Sequence, residues 1–376
     1  MPDDSQRKLR ICIFNWRDPW NSKAGGAEQV TLEHAKYWVS QGHLVTWVSG
    51  ENENHPAHER KLGITFYRTG GQNTFFLRAS YIYWVTFRGN FDIIIDEIHG
   101  IPAFSPVWAL RSKKIAFIHE VAGEIWDEMF PFPVNAVGKW IESSVFPRVY
   151  VTSQFWVDSS STKLDLDHLG IKEEQIEVIP CAIQPQPLRK EIKEKSMTCI
   201  FLARLVKMKG VESALKVFHY MLLKEPTAQL WIVGTGESTY VEQLKQLTGE
   251  MGLSKHVTFY GSVVEEVKYS LLAKAHFLLH TSIKEGFGLT VLEAATQKTP
   301  ALVFDVPSLR DIVVHRQTGV VAPVGDHQSL AGAAVRTWLD IKSYKSMCEL
   351  AYTHGQLYKW SAFTHQSLKL LKKLTA

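Results

Sequence analysis

The stretch Ala275–Gln297, "AHFLLHTSIKEGFGLTVLEAATQ", decides how the chain is read. Its first part, "AHFLLHTS", is a short apolar run bounded by polar residues, which predicts a buried strand. Its last part, "GLTVLEAATQ", has the apolar spacing of a helix. Between them lies "IKEGFG", a loop at the carboxyl end of a strand, where open α/β sheets bind ligands. Gly286 and Gly288 let the backbone approach a ligand without a Cβ in the way. The unpaired amides of Gly288, Leu289 and Thr290 at the head of the helix form a seat for phosphate. Two acids flank the seat. Glu293 lies about one turn into the helix, and helical side chains lean toward the N-terminus, so it can reach a ribose diol. Glu285, on the other side, faces whatever the distal phosphate carries. The alternative is a loop acid and an exposed helix residue, and spacing alone does not choose between the two.

Working outward, the same alternation fills the second half. "TCIFLARL", "AQLWIVGTGE", "VTFYGSV" and "PALVFDV" are predicted strands separated by helical segments. "FLARLVKMKG" places Arg204 at the end of the first of them and Lys209 five residues on, two cations suited to a diphosphate; a solvated loop is the competing reading. "VGTGE" carries Gly234 and Gly236, either a tight turn or a neighbour of the base.

The first half repeats the pattern. "LRICIFNW" reads as a strand, and a helix follows from about Glu28 to Ser40. "HLVTWVSG", "DIIIDEIHG", "KIAFIHE", "RVYVTSQF" and "IEVIP" are further strands. "AGGAE" puts Gly25 and Gly26 before the helix as a second backbone cradle. It is not GxGxxG, which argues against a nicotinamide dehydrogenase. His119 and His99 follow strands and are as readily structural as functional, whereas His55 and His58 in "NHPAHER" read as loop residues rather than metal ligands. "FFLRASYIYWVTFR" (Phe75–Arg88) is aromatic. It is too short to span a membrane, and apolar residues on nearly every face favour a buried or domain-packing helix over one resting on a membrane.

"QPQPLRKEIKEKS" (Gln184–Ser196) is rich in proline and charge and predicts a solvated connector between two domains. Two such halves imply two doubly wound sheets facing across a cleft. The 376 residues fit two domains. The composition, 45% hydrophobic and 21% charged, is that of a globular protein. A net charge of +4 suits an anionic ligand or an anionic membrane surface without requiring either. Four scattered cysteines offer no metal-ligand spacing. Cys12 and Cys199 read as buried reduced thiols, and "MPDDSQRKLR" lacks the apolar core of a signal peptide, so a cytoplasmic protein is expected.

These residues resemble family 4 of the retaining glycosyltransferases, which have the two-Rossmann GT-B fold. "EGFGLTVLEA" is similar to that family's E-x7-E signature. "ARLVKMKG", "IVGTGE", "AGGAE", "TPALVFDVPSLRDIV" and "TGVVAPVGD" occur in the expected order. The resemblance implies an acceptor-side domain over residues 1–185, a nucleotide-sugar domain over 195–357, and a closing helix over about 358–376 that packs back on the first. It implies that Arg204 and Lys209 hold the diphosphate, that Glu293 binds the ribose and Glu285 the donor sugar. Gly286, Phe287, Gly288, Leu289 and Thr290 would line the donor, with Gly234 and Gly236 beside it. Gly25 and Gly26 would approach from the acceptor side, and His119 would lie near the reacting sugar. No cofactor and no metal are implied; the nucleotide-diphosphate sugar is the substrate, UDP being the commoner base. The acceptor is left open, a lipid-linked or polysaccharide one suiting the aromatic first half, with peripheral membrane association and without nucleic acid. Two departures stand out. Ala203 replaces the usual glycine before Arg204, and Lys298 or Thr299 replaces a glycine within "TQKTP".

Overall fold

The computed structural model describes residues 7–71, 74–184 and 186–376. Met1–Gln6, which carry most of the N-terminal reading, and Pro185 of the connector lie outside the described residues. The chain divides into two compact units, residues up to Ala182 together with Trp360–Ala376, and Ile183–Lys359.

The first unit is built on a sheet of eight strands: β1 (Arg10–Phe14), β2 (Leu44–Ser49), β3 (His58–Lys61), β4 (Ile64–Arg68), β5 (Ile93–Ile98), β6 (Lys113–Ile118), β7 (Gln154–Val157) and β8 (Ile176–Val178). Their order is β3-β4-β2-β1-β5-β6-β7-β8. Only β3 and β4 pair antiparallel among the described strands. The parallel strands β1 and β5 are nearly continuous apolar runs, as strands covered on both faces must be. The chain order reverses between β1 and β5, so the loops that leave these strands open at the switch point.

Three readings of the first half need correction. β3 and β4 form a hairpin that takes His58 out of the expected loop, while His55 stays in a loop. Leu62 and Gly63 turn it with φ of 54° and 79°, the two positive values of a tight hairpin turn, and Leu-Gly is a weak signal for that turn. His58 lies against Tyr67 with ring centroids 4.4 Å apart, and His55 Nδ1 lies 3.3 Å from Glu59 Oε2. "RVYVTSQF" is not one strand: a helix runs Phe146–Val149, Tyr150 is fully buried, and β7 begins at Gln154. The helix Phe75–Val85 buries only Phe75, Ala79 and Tyr83, spaced four apart, and leaves Leu77, Tyr81, Trp84 and Val85 exposed.

The closing helix Trp360–Thr375 belongs to the first unit. Ser367 Oγ lies 2.8 Å from His34 Nδ1 and accepts from Trp38 Nε1 at 3.0 Å, both on the helix Gly26–Ser40.

The second unit holds β9 (Thr198–Leu202), β10 (Gln229–Val233), β11 (Val257–Gly261), β12 (Phe277–His280), β13 (Ala301–Phe304) and β14 (Gly319–Ala322). All pair parallel in the order β11-β10-β9-β12-β13-β14. The order reverses between β9 and β12, again placing a switch point between two loops. The charged connector is mostly exposed, as expected, and is anchored at two points. It runs along this unit: Arg189 N–H donates to Gln297 Oε1 at 3.0 Å, and Lys193 Nζ donates to Thr299 Oγ1 at 2.7 Å. Burial pushes the Lys193 ammonium down to about 8. All four cysteines are free and buried.

Candidate functional site

In the second unit the loops leaving β9 and β12 are fastened together. Ile283 N–H donates to Met208 O at 3.0 Å, and Thr281 Oγ1 donates to Gly210 O at 2.7 Å. Gly210 has φ of +70°, and a Cβ there would stand 2.0 Å from Thr281 O, so only glycine allows this approach. The short turn Lys207–Lys209 therefore faces the loop that carries Glu285.

Lys209 Nζ lies 2.9 Å from Glu285 Oε2. His280 Nε2 lies 2.8 Å from the same oxygen and Ser282 Oγ 3.3 Å from it. The other nitrogen of His280 is 3.1 Å from Thr290 Oγ1. Burial works to raise the Glu285 pKa, but the Lys209 charge and the His280 bond outweigh it and hold the carboxyl well below the usual carboxylate range. Glu285 is thus a fixed anion whose charge Lys209 balances. An ammonium has three donors, so Lys209 keeps protons for a second acceptor.

Gly288 sits with φ of +93° at the head of the helix Leu289–Ala295, and no side chain caps that helix. The amides of Leu289 and Thr290 therefore have no intrahelical acceptor. Phe287 is buried with its ring 5.9 Å from Tyr358, so this residue acts in packing. Glu293 is paired to Lys268 Nζ at 2.7 Å. Arg204 is exposed and has no side-chain partner among the described residues. Gly234 and Gly236 serve the backbone: a Cβ would stand 1.8 Å from Ala203 O and 2.1 Å from Leu205 O, respectively. Leu205 N–H donates to Thr235 O at 2.8 Å, which fastens the Arg204 loop to the glycine turn. The glycine replaced within "TQKTP" maps to Lys298, which has φ of +56°; Thr299 is buried and donates to Leu272 O at 2.6 Å.

The first unit concentrates charge at its own switch point. Glu28 Oε2 accepts from Gly25 N–H at 2.6 Å, and Arg17 Nε stands 2.7 Å from Glu28 Oε1. The Gly25–Gly26 turn is therefore not an empty anion seat, because a buried carboxylate already occupies it. His99 Nε2 is 3.2 Å from Glu97 Oε1 and 3.7 Å from Glu28 Oε1. His119 is held from both sides, Nε2 at 3.2 Å from Glu97 Oε1 and Nδ1 against Asp158. Burial would lower the His119 pKa. The Asp158 charge and hydrogen bond, with Glu97 behind them, push it up to about 10. Burial likewise raises the Glu97 carboxyl, and the His119 and His99 bonds bring it down to about 2. His119 is thus a buried imidazolium with both nitrogens engaged, not a free base. Two sets, Glu97–His99–His119 and His119–Asp158–Cys181, bring ligand-type atoms within 4.8 Å of one another, and both use His119.

Sequence reasoning brought Lys209, Glu285 and Thr290 to one place. It missed His280, Lys268, Glu28, Glu97 and Asp158. His280 and Glu97 stand at the carboxyl ends of predicted strands, a signal that could have found them; Asp158 directly follows β7, a strand end misplaced by reading "RVYVTSQF" as the strand, and Lys268 leaves no such mark.

Two family models divide the chain: one described as Glycosyltransferase Family 4 matches residues 24–186, and one described as Glycosyl transferases group 1 matches residues 184–353. The chain belongs to the family 4 glycosyltransferases. Among its relatives is the mannosylfructose-phosphate synthase of Agrobacterium fabrum, 23% identical over 60% of this chain and 54% of that protein. The chain spans about half the length of the curated relatives it matches. The fold of this family 4 chain is GT-B, two α/β units with parallel sheets. It is similar to a sucrose-phosphate synthase from Thermosynechococcus elongatus, with a TM-score of 0.79 at 19% identity, covering 98% of this chain and 99% of that one. It is also similar to HepE of Anabaena, solved in complex with UDP-glucose, with a TM-score of 0.75 at 16% identity over 97% of this chain and 100% of that one. No helix among the described residues is long and apolar enough to cross a membrane.

Proposed function

We propose that this chain is a retaining glycosyltransferase that moves a sugar from a nucleotide-diphosphate sugar, with UDP as the first base to test, to an acceptor hydroxyl. The observation that carries this reading is the meeting of Lys209, Glu285 and the uncapped head of the helix Leu289–Ala295 at the β9/β12 switch point. A diphosphate at this point would meet the remaining protons of Lys209, the guanidinium of Arg204, unpartnered among the described residues, and the amides of Leu289 and Thr290. The C1–oxygen bond to the β-phosphate breaks and negative charge grows on the departing oxygen, where these donors stabilise it. The acceptor oxygen bonds to C1 from the same face, and its proton passes to the departing phosphate. This step needs no protein base, in keeping with a His119 whose nitrogens are both engaged. Glu285 addresses the donor sugar and Glu293 the ribose.

The complex of the Anabaena relative with UDP-glucose supports UDP as the first donor to try. The reading extends to a cytoplasmic enzyme of glycan, glycolipid or polysaccharide synthesis at the inner face of a membrane. The exposed Leu77, Tyr81, Trp84 and Val85 supply an apolar face suited to such a surface. A sugar-nucleotide hydrolase or epimerase would share the donor site.

The test is a thermal-shift panel of UDP-, GDP- and ADP-sugars, followed by product analysis with and without acceptor alcohols. A ligand that binds only the folded chain raises its melting temperature by mass action. Stabilisation by one sugar nucleotide, with an α-glycoside formed from its α-linked sugar, supports the reading. Release of free sugar that no acceptor diverts makes the chain a hydrolase, and no shift with any member of the panel overturns the reading.

A further inference from the structure

His280 stands at the end of β12, 4% exposed, with both ring nitrogens engaged. Nε2 lies 2.8 Å from Glu285 Oε2, and Nδ1 lies 3.1 Å from Thr290 Oγ1. An ionised carboxylate can only accept a hydrogen bond. Nε2 therefore donates to Glu285, and Nδ1 is paired with the Thr290 hydroxyl. The ring is a bridge between the residue that begins the "EGFG" loop and the first turn of the helix that follows it. Its neighbours sharpen the effect. Lys209, His280 and Ser282 all converge on Oε2 of Glu285. None of them reaches Oε1, which leaves that oxygen to accept from a hydroxyl of a ligand.

We propose that His280 is the positioning residue of the donor site, tying Glu285 to Thr290 so that Glu285 Oε1 and the head of the helix Leu289–Ala295 address the two ends of one sugar diphosphate. The inference rests on the donor-site reading given above and adds a division of labour to it. The amides and cations bind the diphosphate whether or not a sugar is attached. Glu285 engages only the sugar, and His280 decides whether Glu285 stands where the sugar arrives. His280 thus makes the site prefer a sugar nucleotide to the bare nucleoside diphosphate.

The conservative variants separate the two ends of the bridge. A glutamine amide can stand near Nε2 and donate to Glu285, whereas an asparagine amide stands near Nδ1 and reaches only Thr290. The experiment measures, by calorimetry on the full chain, the affinities of UDP-glucose, GDP-mannose and ADP-glucose beside those of UDP, GDP and ADP. A hydrogen bond to a charged group is worth about 10–100-fold in affinity. In His280→Asn the preference for the sugar nucleotide over its diphosphate falls by about that factor, while the diphosphate affinity stays within about threefold. His280→Gln restores most of the preference. A residue that only supports the fold would weaken both ligands alike and would not distinguish Gln from Asn. Should His280→Asn fold poorly, Thr290→Val cuts the far end of the bridge alone, and the same selective loss is expected. An unchanged preference in that variant, or equal losses for both ligand classes in either, overturns the role of His280. A wild-type chain that binds none of the six overturns the donor-site reading and this inference with it.

Discussion

Lys209 Nζ stands 2.9 Å from Glu285 Oε2 across a separation of 76 residues, and the two charges neutralise each other in a largely buried setting. Removing one partner of such a pair leaves the other uncompensated. Lys209→Met is therefore expected to lose both stability and transfer, the latter by about 10²–10³-fold, or about 3–4 kcal/mol of barrier. Arg204→Ala is expected to lose transfer by a similar factor with little change in melting temperature, because Arg204 is exposed and unpartnered among the described residues. Denaturation curves measured beside the turnover of both variants check the contrast. Wild-type turnover in either one removes that residue from the leaving-group site.

The His119 cluster predicts a pH window for stability. His119 has its pKa raised to about 10 in the fold, so its contribution is complete below the unfolded value near 6.5 and is lost as pH rises through about 10. Glu97 is lowered to about 2, so its contribution is complete above the unfolded value near 4.5 and is lost as pH falls through about 2. Both contributions are complete between about pH 4.5 and 6.5. Asp158→Asn removes the charge that does most to hold His119 protonated, and it should flatten the alkaline limb of a plot of melting temperature against pH. An alkaline limb of the same slope in wild type and variant would show that His119 is not the titrating group.

How much of this was legible depended on whether the signal was local. β9, β12 and the helix Leu289–Ala295 announce themselves through apolar runs and glycine punctuation, and the β9/β12 switch point follows from their order. The partners of the site residues do not. Lys268 reaches Glu293 from a separate helix, and Asp158 reaches His119 from the next strand's end, so neither contact has a period or a spacing to read. The occupant of the Gly25 amide was hidden for a related reason. The turn looks like a vacant cradle until Glu28, three residues on, is seen to fold back on its amide. The charged connector is exposed as its lysines and glutamates suggest, but its anchor is not legible, since Lys193 finds Thr299 106 residues away.

Gly234 and Gly236 test the claim that the glycine turn shapes the Arg204 loop. A Cβ at Gly234 would meet Ala203 O at 1.8 Å, and one at Gly236 would meet Leu205 O at 2.1 Å, both backbone atoms with nowhere to move. Each alanine substitution should cost about 1–3 kcal/mol as the two loops separate. Gly25 is the control, since a Cβ there meets nothing nearer than Glu28 Oε2 at 3.9 Å, and its φ of −135° suits any residue. Gly25→Ala should cost less than either. Chemical denaturation of the three variants decides it, and equal costs would count against the close approach.

The same pairing of charges predicts that transfer runs without a divalent ion. If Arg204, Lys209 and the amides of Leu289 and Thr290 neutralise the departing phosphate, chelation should leave the rate unchanged. The prediction has a specific opponent in the first unit, where Glu97–His99–His119 and His119–Asp158–Cys181 gather ligand-type atoms within 4.8 Å. Metal ligands must be deprotonated, and an imidazolium held between Glu97 and Asp158 resists giving up its proton. Zinc should therefore compete poorly with that proton near neutrality and bind better toward pH 10. Turnover is measured after dialysis against EDTA, and zinc binding by calorimetry at pH 7 and pH 9.5. A rate abolished by EDTA and restored by one divalent ion would replace the cationic leaving-group site with a metal-assisted one.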